Sequence, residues 1–173
     1  MKNNKMDDRK TRINPPLYLA CTIIYCWRCG ADMPAVGLIA PNVPDTGGEV
    51  CILSNITELP MSVLGFVQKR FPSFKRKHSK AIESEYYANT CPNCGVLSGD
   101  FFLHSEPGSP FFPESMEDAA SLTVEEIPIN GPIEVEAGLS MGCGDLILKH
   151  GKKRSAEQPT PPYSMPRGRA PQG

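Results

Sequence analysis

Cys26-Trp27-Arg28-Cys29-Gly30 is answered far downstream by Cys91-Pro92-Asn93-Cys94-Gly95. Each stretch is a Cys-x-x-Cys turn closed by glycine. A tetrahedral zinc ion takes two thiolates from one such turn and two from another, so the spacing inside each turn suits a four-thiolate site. Gly30 and Gly95 suit the left-handed backbone that lets a tight turn aim its N–H groups at the sulfurs. The expected ligands are therefore Cys26, Cys29, Cys91 and Cys94, holding one structural Zn2+. A redox dithiol or buried thiols without a metal are the competing readings. A redox pair normally occurs once, opening a helix in a βαβ setting, and neither turn has that context.

Outward from the first turn, Leu17–Tyr25 (LYLACTIIY) and Pro34–Ala40 (PAVGLIA) are apolar and β-branched. They read as strands on either side of a knuckle. Glu85–Asn89 reads as the strand leading into the second knuckle, and Glu49–Leu53 as another strand. The main helix is expected over about Pro60–Phe71. Val63, Leu64, Val67 and Phe71 share one face, and Pro72 stops it. Its start is marked by Asn55 and Glu58, or by Pro60 in the first turn. Two short strands around Asn130-Gly131-Pro132, over residues 125–137, read as a hairpin, with Pro128 at a sheet edge. Asp145–Leu148 reads as a last short strand. Phe111 and Phe112 are expected to cap the core from a Pro/Gly loop.

The chain has 173 residues, 40% of them hydrophobic, with 18 prolines and 15 glycines. That suits one loop-rich α+β domain of ordinary size with tails. The expected architecture is a small zinc-ribbon-like domain of short antiparallel strands, with one main helix inserted between the knuckles. Residues 1–14 read as a disordered segment and 15–148 as the zinc-stabilised domain. Within that domain, residues 31–90 are the insertion and 123–148 an acidic β-rich part. Residues 149–173 read as a disordered, basic, proline-rich tail. Leu17–Tyr25 falls short of the about 20 apolar residues a membrane helix needs and lacks a signal-peptide cleavage pattern, so no membrane is expected. The expected location is the cytoplasm, where paired cysteines are more often metal ligands than disulfides. The cysteine count of seven is odd, which also disfavours a disulfide framework.

The pairing Cys-Trp-x-Cys-Gly with a Pro-Ala-Val-Gly-Leu strand, and later Tyr-Tyr-Ala-Asn-x-Cys-Pro-x-Cys-Gly with Gly-Asp-Phe-Phe-Leu, covers about residues 21–115. It resembles small bacterial proteins of uncharacterised function that carry a split zinc-ribbon-like module. The resemblance implies a structural zinc on Cys26, Cys29, Cys91 and Cys94, and implies no substrate or partner.

A net charge of −1 conceals segregation: residues 81–148 hold twelve acids and no Lys or Arg. Six cations, Lys69, Arg70, Lys75, Arg76, Lys77 and Lys80, fall in one acid-free run. With Phe71, Phe74, Tyr86 and Tyr87 nearby, they are candidate nucleic-acid contacts. A solvated or internally neutralised surface is the plainer alternative, because the total charge leaves no overall electrostatic footprint. The expected function is a zinc-binding structural or interaction module with a protein partner, or nucleic acid. An enzyme acting through residues outside the zinc site is the alternative. Glu125-Glu126, or Glu83 with Glu85, would serve it as acid and base. Cys143 between glycines would need a partner among His78, His104 and His150, and no recognised spacing links them. Cys21, Cys51 and His104 read as structural.

Overall fold

A computed structural model describes residues 10–155. Strands dominate, and four short helices accompany them, so the chain is α+β. A seven-stranded sheet runs in the order β1 (Lys10–Ile13), β9 (Ile133–Met141), β4 (Cys51–Glu58), β3 (Asp32–Ala40), β2 (Leu17–Tyr25), β8 (Thr123–Ile127), β10 (Lys152–Arg154). Its neighbours are antiparallel except β8 and β10, which are parallel. A second sheet holds β5 (Phe74–Ser79), β6 (Ser84–Thr90) and β7 (Leu97–Ser98). The helices are α1 (Met61–Arg70), α2 (Asp100–His104), α3 (Met116–Ala120) and α4 (Gly144–His150). No helix among the described residues is long and apolar enough to cross a membrane.

The large sheet is covered on both faces, which explains why β2 and β3 are nearly continuous apolar runs rather than alternating ones. Successive side chains point to opposite faces. Leu17, Leu19, Cys21, Val36 and Leu38 meet Val63, Val67 and Phe71 from α1 and its end, with Phe74 of β5. Ala20, Ala35, Ile39 and Ile52 meet Leu103, Phe111, Leu122 and Ile147 on the other side. Gly37 lies beneath the Phe111 ring: a Cβ there would stand 3.1 Å from a ring carbon, closer than packed carbon atoms normally come. The buried Phe111 thus caps the core as its loop position suggested, and Phe112 is half-buried.

Helix α1 follows Pro60 and buries Val63 and Val67, as its periodicity requires. It does not start near Asn55 or Glu58, because β4 continues through both. The register of β4 against β9 shifts between Ser54 and Glu58, and Asn55 sits there at φ 47°.

Four expectations are corrected. The strand expected at Asp145–Leu148 lies within α4. A four-residue apolar run has no period to separate strand from helix, and Lys149 and His150 suit a helix C-terminus. The two strands around Asn130-Gly131-Pro132 exist but do not pair with one another. β8 takes the open edge of β2, whereas β9 takes the open edge of β4. Residues 10–13, assigned to a disordered segment, are β1. Lys10 and Arg12 there stand opposite Glu136 and Glu134, and Ile13 is fully buried. Residues 152–154, assigned to the tail, are β10, with Arg154 in register with Glu125. Lys149 and His150, also assigned to the tail, end α4, and residues 1–9 and 156–173 of the two expected disordered segments lie outside the described residues. The body is also larger than a ribbon of short strands, since β2, β3 and β9 each run nine residues.

One ion pair ties α1 to the sheet. The Arg70 Nη2 lies 2.9 Å from Glu125 Oε1, and Nε donates to both carboxylate oxygens at 3.0 and 3.1 Å. The guanidinium also stacks 3.6 Å from the Phe66 ring centroid. Both side chains are largely withdrawn from water, at 14% and 7% exposure. Arg70→Met strands the Glu125 charge and is expected to cost about 3–5 kcal/mol, read from the denaturant midpoint at unchanged slope. Arg70→Met combined with Glu125→Leu should recover most of that loss. A single-variant cost under about 1 kcal/mol would show that the pair behaves as an exposed surface bridge.

Candidate metal centre

The two knuckles have the same backbone geometry. In the first, which joins β2 to β3, the Cys26 N–H donates to the Ala31 carbonyl at 2.8 Å and the Gly30 N–H to the Cys26 carbonyl at 2.9 Å. In the second, joining β6 to β7, Cys91 N–H donates to Val96 at 2.8 Å and Gly95 N–H to Cys91 at 2.9 Å. Gly30 and Gly95 have φ of 72° and 78°. A Cβ would meet nothing within 4 Å at either, so glycine is required there for its backbone angle and not for room.

This fold brings the four expected sulfurs together. All lie within 4.8 Å of one another. The Cys26–Cys94 and Cys29–Cys91 distances are each 3.6 Å. A tetrahedral ion with metal–sulfur bonds of about 2.3 Å separates its sulfurs by about 3.8 Å, so the cluster is close to the required size. Beneath it Cys26, Met33 and Cys91 form a small dry core with Ile24, Ala31 and Val96 alongside. Cys29 and Cys94 face outward. The Arg28 N–H points at Cys26 Sγ at 3.4 Å, and the Asn93 amide at Cys29 Sγ at 3.4 Å.

These surroundings move the thiols in opposite directions. The Asn93 amide and the Ala31 backbone bring Cys29 down to about 6, while burial pushes Cys91 up to about 11. A metal cation placed among the sulfurs would displace their protons and offset the burial penalty.

Three further hydrogen bonds link the two sheets near the cluster, and a fourth ties the second knuckle to β5. β4 pairs with β3 at Leu38, Ile39 and Ala40, leaving Val36 beyond its reach. The buried Asn89 side chain takes that place: Val36 N–H donates to Oδ1 at 2.8 Å, and Nδ2 donates to the Val36 carbonyl at 3.0 Å. The Trp27 indole N–H donates to Leu97 O at 3.0 Å, and Lys77 Nζ to Gly95 O at 2.9 Å. The sequence offered no signal for Asn89, because an amide that completes a ladder looks like any polar residue in a strand.

The six candidate nucleic-acid contacts do not form one patch. Lys69 and Arg70 end α1, and Arg70 is engaged by Glu125. Lys75, Arg76 and Lys77 alternate along β5, where Arg76 meets Glu85 at 3.6 Å and lies 5.7 Å from the Tyr87 ring centroid. Lys80 is exposed in the following turn. The acids considered for catalysis are likewise dispersed, since Glu125 and Glu85 serve those ion pairs.

His104 and Cys143 both line a cavity of about 190 Å³, together with Phe111 and Met141. The buried His104 has Nε2 3.9 Å from Asp100 Oδ2 and its ring centroid 5.0 Å from that of Phe111, while its Nδ1 has no hydrogen-bond partner among the described residues. Burial brings His104 down to about 4 and pushes Cys143 above the ordinary thiol range. Burial also pushes Asp100 up to about 7, against the Asn55 N–H that donates to it at 2.7 Å. Tyr86 is raised to about 12 by burial and then by Asp100.

Comparison with family models, with curated proteins and with solved structures finds no match for this chain. The likeness to a zinc-ribbon-like module therefore rests on the geometry of the four cysteines.

Asp100 gives a signed pH dependence. Its acidity is weaker in the folded chain than in the unfolded one, so its contribution to stability is complete below pH 3.8 and is lost as pH rises through about 7. His104, with its lowered value, acts in the opposite sense between about 4 and 6.5. Asp100→Asn keeps an acceptor for Asn55 and removes the ionisation. The variant should gain stability over the parent progressively from pH 4 to pH 8, measured by denaturant unfolding at several pH values. A difference independent of pH would show that Asp100 does not titrate in this range.

Proposed function

We propose that the chain is a zinc-clamped interaction module, with one structural Zn2+ held by Cys26, Cys29, Cys91 and Cys94. The observation that carries this reading is the convergence of four sulfurs within 4.8 Å from two matched turns. Four thiolates in a tetrahedral setting favour zinc or iron over hard cations. They also leave no coordination position for a substrate, which favours a structural over a catalytic ion. The ion would join the β2–β3 turn of the large sheet to the β6–β7 turn of the small one, and so hold a partner-binding surface in place. A reducing compartment such as the cytoplasm would keep the thiols available for metal. The enzyme alternative has less support. His104 and Cys143 share a small cavity, yet burial disfavours the charged form of both groups, which opposes a thiolate–imidazolium pair.

Elemental analysis of the full-length chain should find one zinc per molecule. Cys26→Ser and Cys91→Ser should each lose the metal and unfold at lower denaturant, and Cys143→Ser should retain it. Cobalt(II) substitution should produce the charge-transfer and d–d bands of a tetrahedral thiolate site. A folded wild-type chain without metal, or Cys91→Ser with a full equivalent, would refute the proposal.

A further inference from the structure

A groove of about 960 Å³ runs along the clamp, bounded by both knuckles, the β5–β6 turn and Phe102 of α2. Three of its aromatic side chains stand in water: Tyr25 is 79% exposed, Trp27 69% and Phe102 62%. Large apolar side chains grouped at a surface mark a binding site. Trp27 is held for such a role, because its N–H is already donated to the Leu97 carbonyl across the two knuckles. Its ring is fixed, its polar atom is engaged, and its faces remain available.

The charge of this groove has one sign. Arg28, Lys77, His78 and Lys80 line it, and no Asp or Glu does. Among the described residues, ion pairs neutralise Arg70 and Arg76 elsewhere and none engages Arg28, Lys77 or Lys80. Lys77 donates one proton to Gly95 O and has two more to offer. The occupant should therefore carry negative charge at intervals and flat rings between the charges. Single-stranded nucleic acid has both, with its bases unpaired and free to stack. A duplex hides those base faces, and an acidic peptide has charge without the rings.

We infer that this groove binds single-stranded nucleic acid, with Trp27, Tyr25 and Phe102 stacking on bases and Arg28, Lys77 and Lys80 holding phosphates. The inference rests on the zinc-clamp reading, because Cys94 and both knuckles build the groove walls.

The test uses zinc-loaded full-length protein and fluorescein-labelled oligothymidylate or oligouridylate, followed by anisotropy. Binding should quench the emission of Trp27, the single tryptophan of the chain. Trp27→Ala should weaken it about tenfold or more, with Trp27→Phe retaining most of the affinity. Lys80→Ala should reduce the slope of log affinity against log salt by about one. Lys69→Ala, at the end of α1, should change little. Metal content is measured on each variant. If Trp27→Ala has lost its zinc, Tyr25→Ala and Phe102→Ala take its place and should each weaken binding severalfold. A metal-loaded chain that neither binds at low salt nor shows quenching overturns this inference and leaves the clamp intact, whereas absence of metal overturns the clamp itself. Equal affinity for a duplex of the same length, or equal competition by polyglutamate, would also overturn it, the latter in favour of an acidic protein surface.

Discussion

Four sulfur atoms must meet at one point, from turns that lie more than sixty residues apart: Cys29 and Cys91 are separated by 62 positions, Cys26 and Cys94 by 68. The intervening chain contributes β3, β4, α1, β5 and β6, so the clamp closes a long and structured loop. Closure entropy grows only slowly with loop length, and a metal clip acts partly by restricting the unfolded chain. The protein supplies the rest of the alignment through Asn89 on Val36, Trp27 on Leu97 and Lys77 on Gly95. The Asn89 and Trp27 bonds join one sheet or knuckle to the other, and the Lys77 bond ties the second knuckle to β5 of its own sheet.

Burial on both faces gives the large sheet its stability and its costs. Apolar strands can be covered by α1 on one side and by α2, Phe111 and α4 on the other without a polar face to solvate. Polar groups caught in this interior need specific partners. Glu125 has Arg70, Asn89 has the Val36 backbone, and Asp100 has the Asn55 N–H. His104 Nδ1 has none among the described residues, and burial disfavours its charged form.

The segregated charge of the sequence is partly reconciled by this architecture. Lys10 and Arg12 stand opposite Glu136 and Glu134 across a strand pair, Arg76 meets Glu85, and Arg70 reaches Glu125. Among the described residues, the cations beside the knuckles have no such ion pair. Of the basic run, Lys77 and Lys80 line the groove beside the clamp, joined by Arg28 from the other turn. Linear proximity overstated the patch, because alternate residues of β5 point to opposite faces and Arg70 turns toward the sheet.

Local chemistry was legible without tertiary context. Two Cys-x-x-Cys-Gly turns dictated their own geometry, since the φ that closes each turn is one that glycine tolerates best. The spacing of Val63, Val67 and Phe71 marked the buried face of α1, and the apolar runs beside the knuckles marked β2, β3 and β6. Which strands would be neighbours was decided by the tertiary structure. β8 and β9 flank a turn sequence yet occupy separate edges, because β2 and β4 each offered an unpaired ladder. The same need for partners recruited Lys10–Ile13 and Lys152–Arg154, which carry too little apolar pattern to identify themselves as strands. Asp145–Leu148 became helix through packing of Ile147, because four apolar residues have no period of their own. Hydrogen-bonding capacity at a sheet edge belongs to the assembled sheet, and no segment carries it alone.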